Sequence, residues 1–195
     1  MLTVSVRSRD IALASVMGGL AIALSIARIE FPFPPLTYLK FDLAEIPSFI
    51  AYYLAGLKSG VVCALLHFLG MLVRGSNPFG ASMKLLAVLS TLVGMALVRK
   101  RKIWLELVGG AALRTVIMSI ANLVFLGIFF PGYLEFAMKA LRLAGFSVAS
   151  KYEALILTLV LTGLFNTLHA ILSVGTAAVL IRSIARRIPG IIERT

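Results

Sequence analysis

The chain has 195 residues, 60% of them hydrophobic and only 14% charged, with a mean hydropathy of +1.01. Soluble domains carry about a quarter charged residues, and a chain this short has no interior that could hide so much apolar surface, so a soluble enzyme or binding module is excluded. The net charge of +11 would otherwise suit nucleic acid, but the basic residues sit at the ends of apolar runs, where they mark membrane flanks.

Several runs approach or exceed the roughly 20 apolar residues that cross the hydrocarbon of a bilayer, and the ten-residue alternation of barrel strands is missing. The expected fold is an all-α integral membrane protein with one domain over residues 1–195. Arg7 and Arg9 precede the first apolar run as in a signal peptide. Later runs are equally apolar, which favours a first membrane helix at about Asp10–Arg28. Ala14, Gly18, Gly19, Ala23 and Ala27 place small side chains along this helix, a pattern that lets another backbone approach closely, either inside the bundle or on a partner subunit.

The following Glu30-Phe31-Pro32-Phe33-Pro34-Pro35 is not helix, because successive prolines remove donors and restrict their neighbours. It leads into Leu36-Thr37-Tyr38-Leu39-Lys40-Phe41-Asp42-Leu43-Ala44-Glu45-Ile46-Pro47, the one stretch between apolar runs where aromatic, cationic and acidic residues concentrate. Asp42 with Glu45 three residues on resembles a capping box, which assigns the two acids to starting helix 2. That helix ends near Gly56–Gly60, and helix 3 covers about Val61–Val73. Turn residues fill Arg74–Gly80. Helix 4 follows at about Ser82–Val98, then the basic run Arg99–Lys102, then a long helix 5 at about Trp104–Phe130. Glu135, Lys139 and Arg142 at helical spacing predict a short surface helix between Pro131 and Glu153. Helix 6 covers about Ala154–Arg182.

Six spans would put both termini on one side. Arg7, Arg9, Lys58, the Arg99–Lys102 run and Arg182, Arg186 and Arg187 then share a face, which the distribution of positive charge makes cytoplasmic. The proline-rich segment, the Arg74–Gly80 loop and the Pro131–Glu153 section face outward. The single Cys63 lies within an apolar run and forms no intrachain disulfide. No phosphate-loop pattern G-x-x-x-x-G-K-[ST] occurs, so any energy comes from a partner or an ion gradient.

Polar residues within the apolar runs are functional candidates. Asn166 and His169, three apart, share one face of helix 6 near mid-bilayer, where an amide and an imidazole suit the edge of a heterocycle or hydrogen bonds between helices. Asn122 on helix 5 is placed to converge with Asn166 in the outer half of one cavity. Arg114, two turns deeper, is expected to have a structural role, paired with Glu106 or reaching the cytoplasmic interface. Lys84 suits a snorkelling interfacial cation or a contact for an anionic group. His67 is expected to be a packed or hydrogen-bonded helix residue, and two histidines without spaced carboxylates are weak evidence for a metal site, so none is expected.

Taken together, Tyr38-Leu39-Lys40-Phe41-Asp42-Leu43-Ala44-Glu45-Ile46-Pro47, Met118–Asn122 and Phe165-Asn166 resemble the motifs of substrate-binding S components of energy-coupling factor (ECF) vitamin transporters, most of all the riboflavin-specific branch. The resemblance implies a six-helix bundle with cytoplasmic termini in a prokaryotic cell membrane, and an outward cavity beneath the loop after helix 1. Tyr38, Leu39 and Lys40 would close over the ligand, while Asn122 and Asn166, with His169, would meet the polar edge of riboflavin or a related flavin such as FMN, carried as ligand and not as cofactor. Ala14, Gly18, Gly19 and Ala23 would dock a transmembrane coupling subunit bound to two ABC-type ATPases, where ATP hydrolysis would reside. Two departures stand out: His169 replaces the lysine usual in that branch, and Gly80–Lys84 lacks an expected acidic residue. An S component for another vitamin and an ion-coupled secondary transporter are the alternatives, although neither an internal repeat nor a buried carboxylate is visible for the latter. A membrane enzyme using His67 or His169 as a base lacks partner residues.

Overall fold

The computed structural model describes residues 8–99 and 102–187; the predicted basic flanks Arg7, Lys100 and Arg101 lie outside them. Helix α1 (Ser8–Ala27) is followed by a hairpin of β1 (Glu30–Phe33) and β2 (Leu36–Asp42). Then come α2 (Ile46–Ala55), α3 (Leu57–Val73), α4 (Pro78–Leu97), α5 (Ile103–Val124), α6 (Tyr133–Leu143) and α7 (Lys151–Arg187). The surface helix expected between Pro131 and Glu153 is α6, whose buried face is Leu134, Ala137 and Leu141.

Among the described residues, four helical stretches, Ser8–Ala27, Pro78–Leu97, Ile103–Phe129 and Lys151–Arg187, have the length and hydropathy to cross a membrane, and α2 and α3 are shorter. The shortness of α2 has a local cause. The proline-rich segment folds as an antiparallel hairpin, with Glu30 opposite Asp42 and Pro32 opposite Lys40, and this extended chain takes up the sequence between α1 and the start of α2 at Ile46. Prolines are tolerated there because a two-stranded ribbon consists of edges.

Close backbone approach binds the helices. On α1, Gly18 faces Leu66 of α3, whose Cδ1 would lie 2.6 Å from an added Cβ, and Gly70 of α3 faces Ile22 at 2.5 Å. Gly94 of α4 lies directly on the backbone of Gly109 and Gly110 in α5. Such contacts are how membrane helices associate where lipid removes the hydrophobic drive.

Two larger apolar clusters divide the bundle, beside a small one of Ala21, Ala51 and Cys63. Phe49, Tyr52, Leu92, Met95, Val174 and Ala177 belong to one; Phe33, Leu36, Leu134, Leu141, Leu161 and Phe165 tie the hairpin to α6 and α7 in the other. The hairpin and the basic ends lie at opposite ends of the molecule. The Ser59 hydroxyl reaches the Asp10 carbonyl at 3.5 Å, and the Arg99 guanidinium stands 5.7 Å from the Tyr52 ring centroid. These contacts join the start of α1 to the start of α3, and the end of α4 to α2.

Candidate functional site

A buried polar layer separates the two apolar clusters. Arg114 of α5 donates from Nη1 to Glu45 Oε2 at 2.6 Å and from Nη2 to Glu45 Oε1 at 3.2 Å. Its Nε donates to Asn166 Oδ1 at 3.1 Å, and Nη2 also meets His169 Nδ1 at 3.2 Å. The side chains of Arg114 and Glu45 are 2% and 0% exposed, so the pair is wholly inside the protein. A guanidinium only donates, which makes His169 Nδ1 an acceptor and places the proton of the neutral ring on Nε2. That atom lies 3.2 Å from the Asp42 carbonyl, so His169 donates to the last residue of the hairpin. The Nδ2 of Asn166 donates to the Thr162 carbonyl at 2.8 Å. The positions expected to meet ligand on α7 are thus both engaged by protein groups.

These contacts correct the expected roles of several charged residues. Arg114 does not pair with Glu106; eight residues separate them on α5, about 12 Å along the axis, and the arginine turns instead to Glu45. Asp42 and Glu45 do not form a capping box. Helix α2 starts at Ile46 with no side-chain cap; the Asp42 carboxylate accepts from the Ala44 amide at 3.0 Å and pairs with Lys84. Lys84 therefore does not snorkel: its side chain is 21% exposed and turns inward to the hairpin. His67 is buried, as expected for a packed helix residue.

Above this floor opens a cavity of about 440 Å³, lined by Tyr38, Leu39 and Lys40 of the hairpin, Asn122 of α5, and Asn166 and His169 of α7, together with Asp42, Glu45, Lys84 and Arg114. All six residues expected to contact ligand line this one space. The two asparagines do not meet, however. Thr115 contacts Thr167 at 2.8 Å and Gly163 faces Ser119, a register that puts Asn122 level with residue 160, about 9 Å along the axis from Asn166. Asn122 donates to the Met118 carbonyl at 2.7 Å and serves the upper part of the cavity.

Met71, Met118, Leu126 and Phe165 form the apolar middle of the wall. A wide π-type turn at Phe125–Phe129 ends the α5 stretch, and Phe125 stacks on Phe79 with centroids 3.8 Å apart and planes 19° from parallel. At the mouth, Tyr38 of β2 packs on Phe136 of α6 at 5.6 Å, and burial pushes its phenol up to about 12, keeping the hydroxyl neutral. The rim is ionic. Lys40 donates to Glu30 Oε2 at 2.8 Å, and Arg74 stands 3.7 Å from Glu30 Oε1. The Lys40 hydrogen bond, helped by the fields of Lys40, Lys84 and Arg74 and opposed by partial burial, holds the Glu30 carboxyl below its usual range. Arg74 also bonds the Ser25 carbonyl and the Ser76 hydroxyl, tying the end of α1 to the loop before α4.

The α1 residues expected at a partner interface divide between two faces. Ala14 and Gly18 are buried in the bundle. Gly19 and Ala23 are exposed, and a Cβ on Gly19 would meet nothing within 4 Å.

Sequence reasoning missed Glu45 and Arg114 as lining of the cavity, and reached Lys84 only through its second reading, as a contact for an anionic group. The signal was present in Arg114, since a guanidinium in the middle of an apolar helix needs a carboxylate from another segment.

Fold and site together define a helical membrane protein built around one polar-floored cavity. The chain belongs to the ECF transporter substrate-specific component family, whose model matches residues 9–181. Among characterised proteins it is similar to the riboflavin transporter FmnP of Bacillus subtilis (strain 168), with 27% identity over 164 residues that cover 74% of this chain and 85% of that protein. Among solved structures it is similar to one described as the S component of a bacterial ECF transporter, with a TM-score of 0.67 and 22% identity over 91% of this chain and 96% of the other. That likeness bears on the fold alone. Members of the family are substrate-binding transport subunits and not enzymes.

Proposed function

We propose that this protein is the flavin-binding S component of an ECF transporter. It takes riboflavin, or a related flavin such as FMN, into the cavity beneath the hairpin and delivers it inward with an ATP-driven module. The observation that carries this reading is the convergence of Tyr38, Leu39, Lys40, Asn122, Asn166 and His169 on one cavity of about 440 Å³, a size within the usual range for small-molecule sites. The similarity to a riboflavin transporter supports it. The apolar middle suits a flat aromatic ring, and the ionic rim suits a hydroxylated or phosphorylated tail.

In this reading the bundle spans the prokaryotic cell membrane six times, with α2 and α3 completing the four longer spans and both termini in the cytoplasm. The hairpin and α6 lie at the outer surface. A transmembrane coupling subunit, itself bound to two ABC-type ATPases, docks on α1. Gly19 and Ala23 present the outward part of that face, and Ala14 and Gly18 set how closely α1 lies on α3.

Purification in detergent tests the assignment. A flavin absorption band should co-elute with the protein, riboflavin fluorescence should be quenched on titration, and Asn166→Ala should weaken both. A colourless protein that quenches neither riboflavin nor FMN would rule out the flavin assignment while leaving the family membership intact.

A further inference from the structure

Arg114 lines the cavity, yet its bonds to Glu45, Asn166 and His169 occupy four of its N–H groups. A guanidinium carries five donors, so one Nη1 hydrogen remains. Asn166 spends its Oδ1 on Arg114 and one amide hydrogen on Thr162, and His169 spends Nδ1 on Arg114 and Nε2 on the Asp42 carbonyl. The floor of the cavity is therefore organised around a permanently charged donor fixed in place by a two-pronged carboxylate. A buried charge fixed in this way costs no reorganisation when it meets a ligand acceptor.

We propose that Arg114 is a binding and specificity-determining residue. It donates its remaining N–H to an acceptor oxygen at the leading edge of the ligand, and its other donors hold Asn166 and His169 in fixed orientation. The proposal rests on the flavin reading and deepens it: the ring system enters first, with a ring carbonyl turned to α5, and its tail stays at the rim near Lys40 and Glu30. Ligands without an acceptor at the leading edge are rejected, because they would leave the buried donor unpaired.

The test compares riboflavin with its 2-thio and 4-thio analogues, in which one ring carbonyl oxygen becomes a weakly accepting sulfur. Each is titrated into detergent-solubilised wild type, Arg114→Lys and the charge-free double variant Arg114→Met/Glu45→Met, all shown to be folded by a cooperative melting transition. Wild type should prefer riboflavin over at least one thio analogue. Arg114→Lys keeps the charge but cannot bridge three partners, and should bind riboflavin about 10- to 100-fold more weakly with that preference largely erased. The double variant should lose the preference too. A purely structural Arg114 would change stability without changing the ratio between the ligands. Riboflavin binding within twofold of wild type in either variant, or an unchanged preference in both, overturns the proposal and leaves the flavin reading standing. A wild type that binds no flavin overturns both.

Discussion

Glu45 and Arg114 illustrate why a charge inside an apolar bundle is held in pairs. Removing one partner strands the other in a medium that cannot solvate it, whereas removing both leaves an apolar contact. Glu45→Ala should therefore lower stability by about 3–5 kcal/mol, and adding Arg114→Met should restore most of the loss; melting in detergent measures both. Glu30 makes a weaker contribution with a defined pH window. Its carboxyl is held below its ordinary value of 4.5, so its contribution to stability is present above that pH and drains away as the pH falls through the lower folded value. The melting-temperature difference between wild type and Glu30→Gln should be constant from pH 7 to 5 and shrink as the pH falls below 4.5 through the lowered folded value. No difference between wild type and Glu30→Gln at pH 7 would mean that the ionised carboxylate contributes nothing through Lys40. Single residues were legible from sequence as to place more than partner. Asn166 and His169 were marked by their cost in a membrane, but nothing in the local sequence tells that the guanidinium binding them comes from α5 or that its carboxylate lies at residue 45.

At the scale of elements, hydropathy located every long helix, because an apolar run has few other ways to satisfy its backbone in lipid. It mislaid the start of α3 by four residues, since Leu57 begins the helix directly after Gly56, whose φ of 85° makes the break. The prolines were read correctly as excluding helix, yet the strand pairing escaped: the hairpin's register depends on Leu36 and Phe33 packing against α6 and α7, a long-range fact. The α4–α5 contact yields the sharpest test of packing. Gly94 sits against the Gly109 carbonyl with no room for a side chain, and backbone cannot step aside as a flexible side chain can. Gly94→Leu should separate the two helices and destabilise by at least the roughly 1–3 kcal/mol of an overpacked core, read as a lowered melting temperature. Gly127→Leu, where an added Cβ would meet nothing within 4 Å, should leave it nearly unchanged.

The whole molecule separates a cavity end from a basic end. The cavity, hairpin and α6 occupy one end, the basic helix ends the other, and α1 runs alongside with one face buried and one open. On the open face Ala12, Ser15, Val16, Gly19 and Ala23 are all exposed, and their spacing keeps them within one stripe of the helix. The buried residues Ala14, Gly18, Ala21 and Ser25 occupy the opposite side. If a coupling subunit lies against the open stripe, blocking it should uncouple transport from binding. Gly19→Leu is expected to keep the melting temperature and the flavin affinity of wild type, because the new side chain projects into open space, and to lose both co-purification with the coupling subunit and uptake of labelled riboflavin by cells. Gly18→Leu, one residue away, would instead drive into Leu66 and lower the melting temperature before any partner is involved. The two adjacent glycines thus distinguish the two uses of small residues on one helix. Retained co-purification in Gly19→Leu would move the docking face off this stripe, while leaving the cavity and its floor as described.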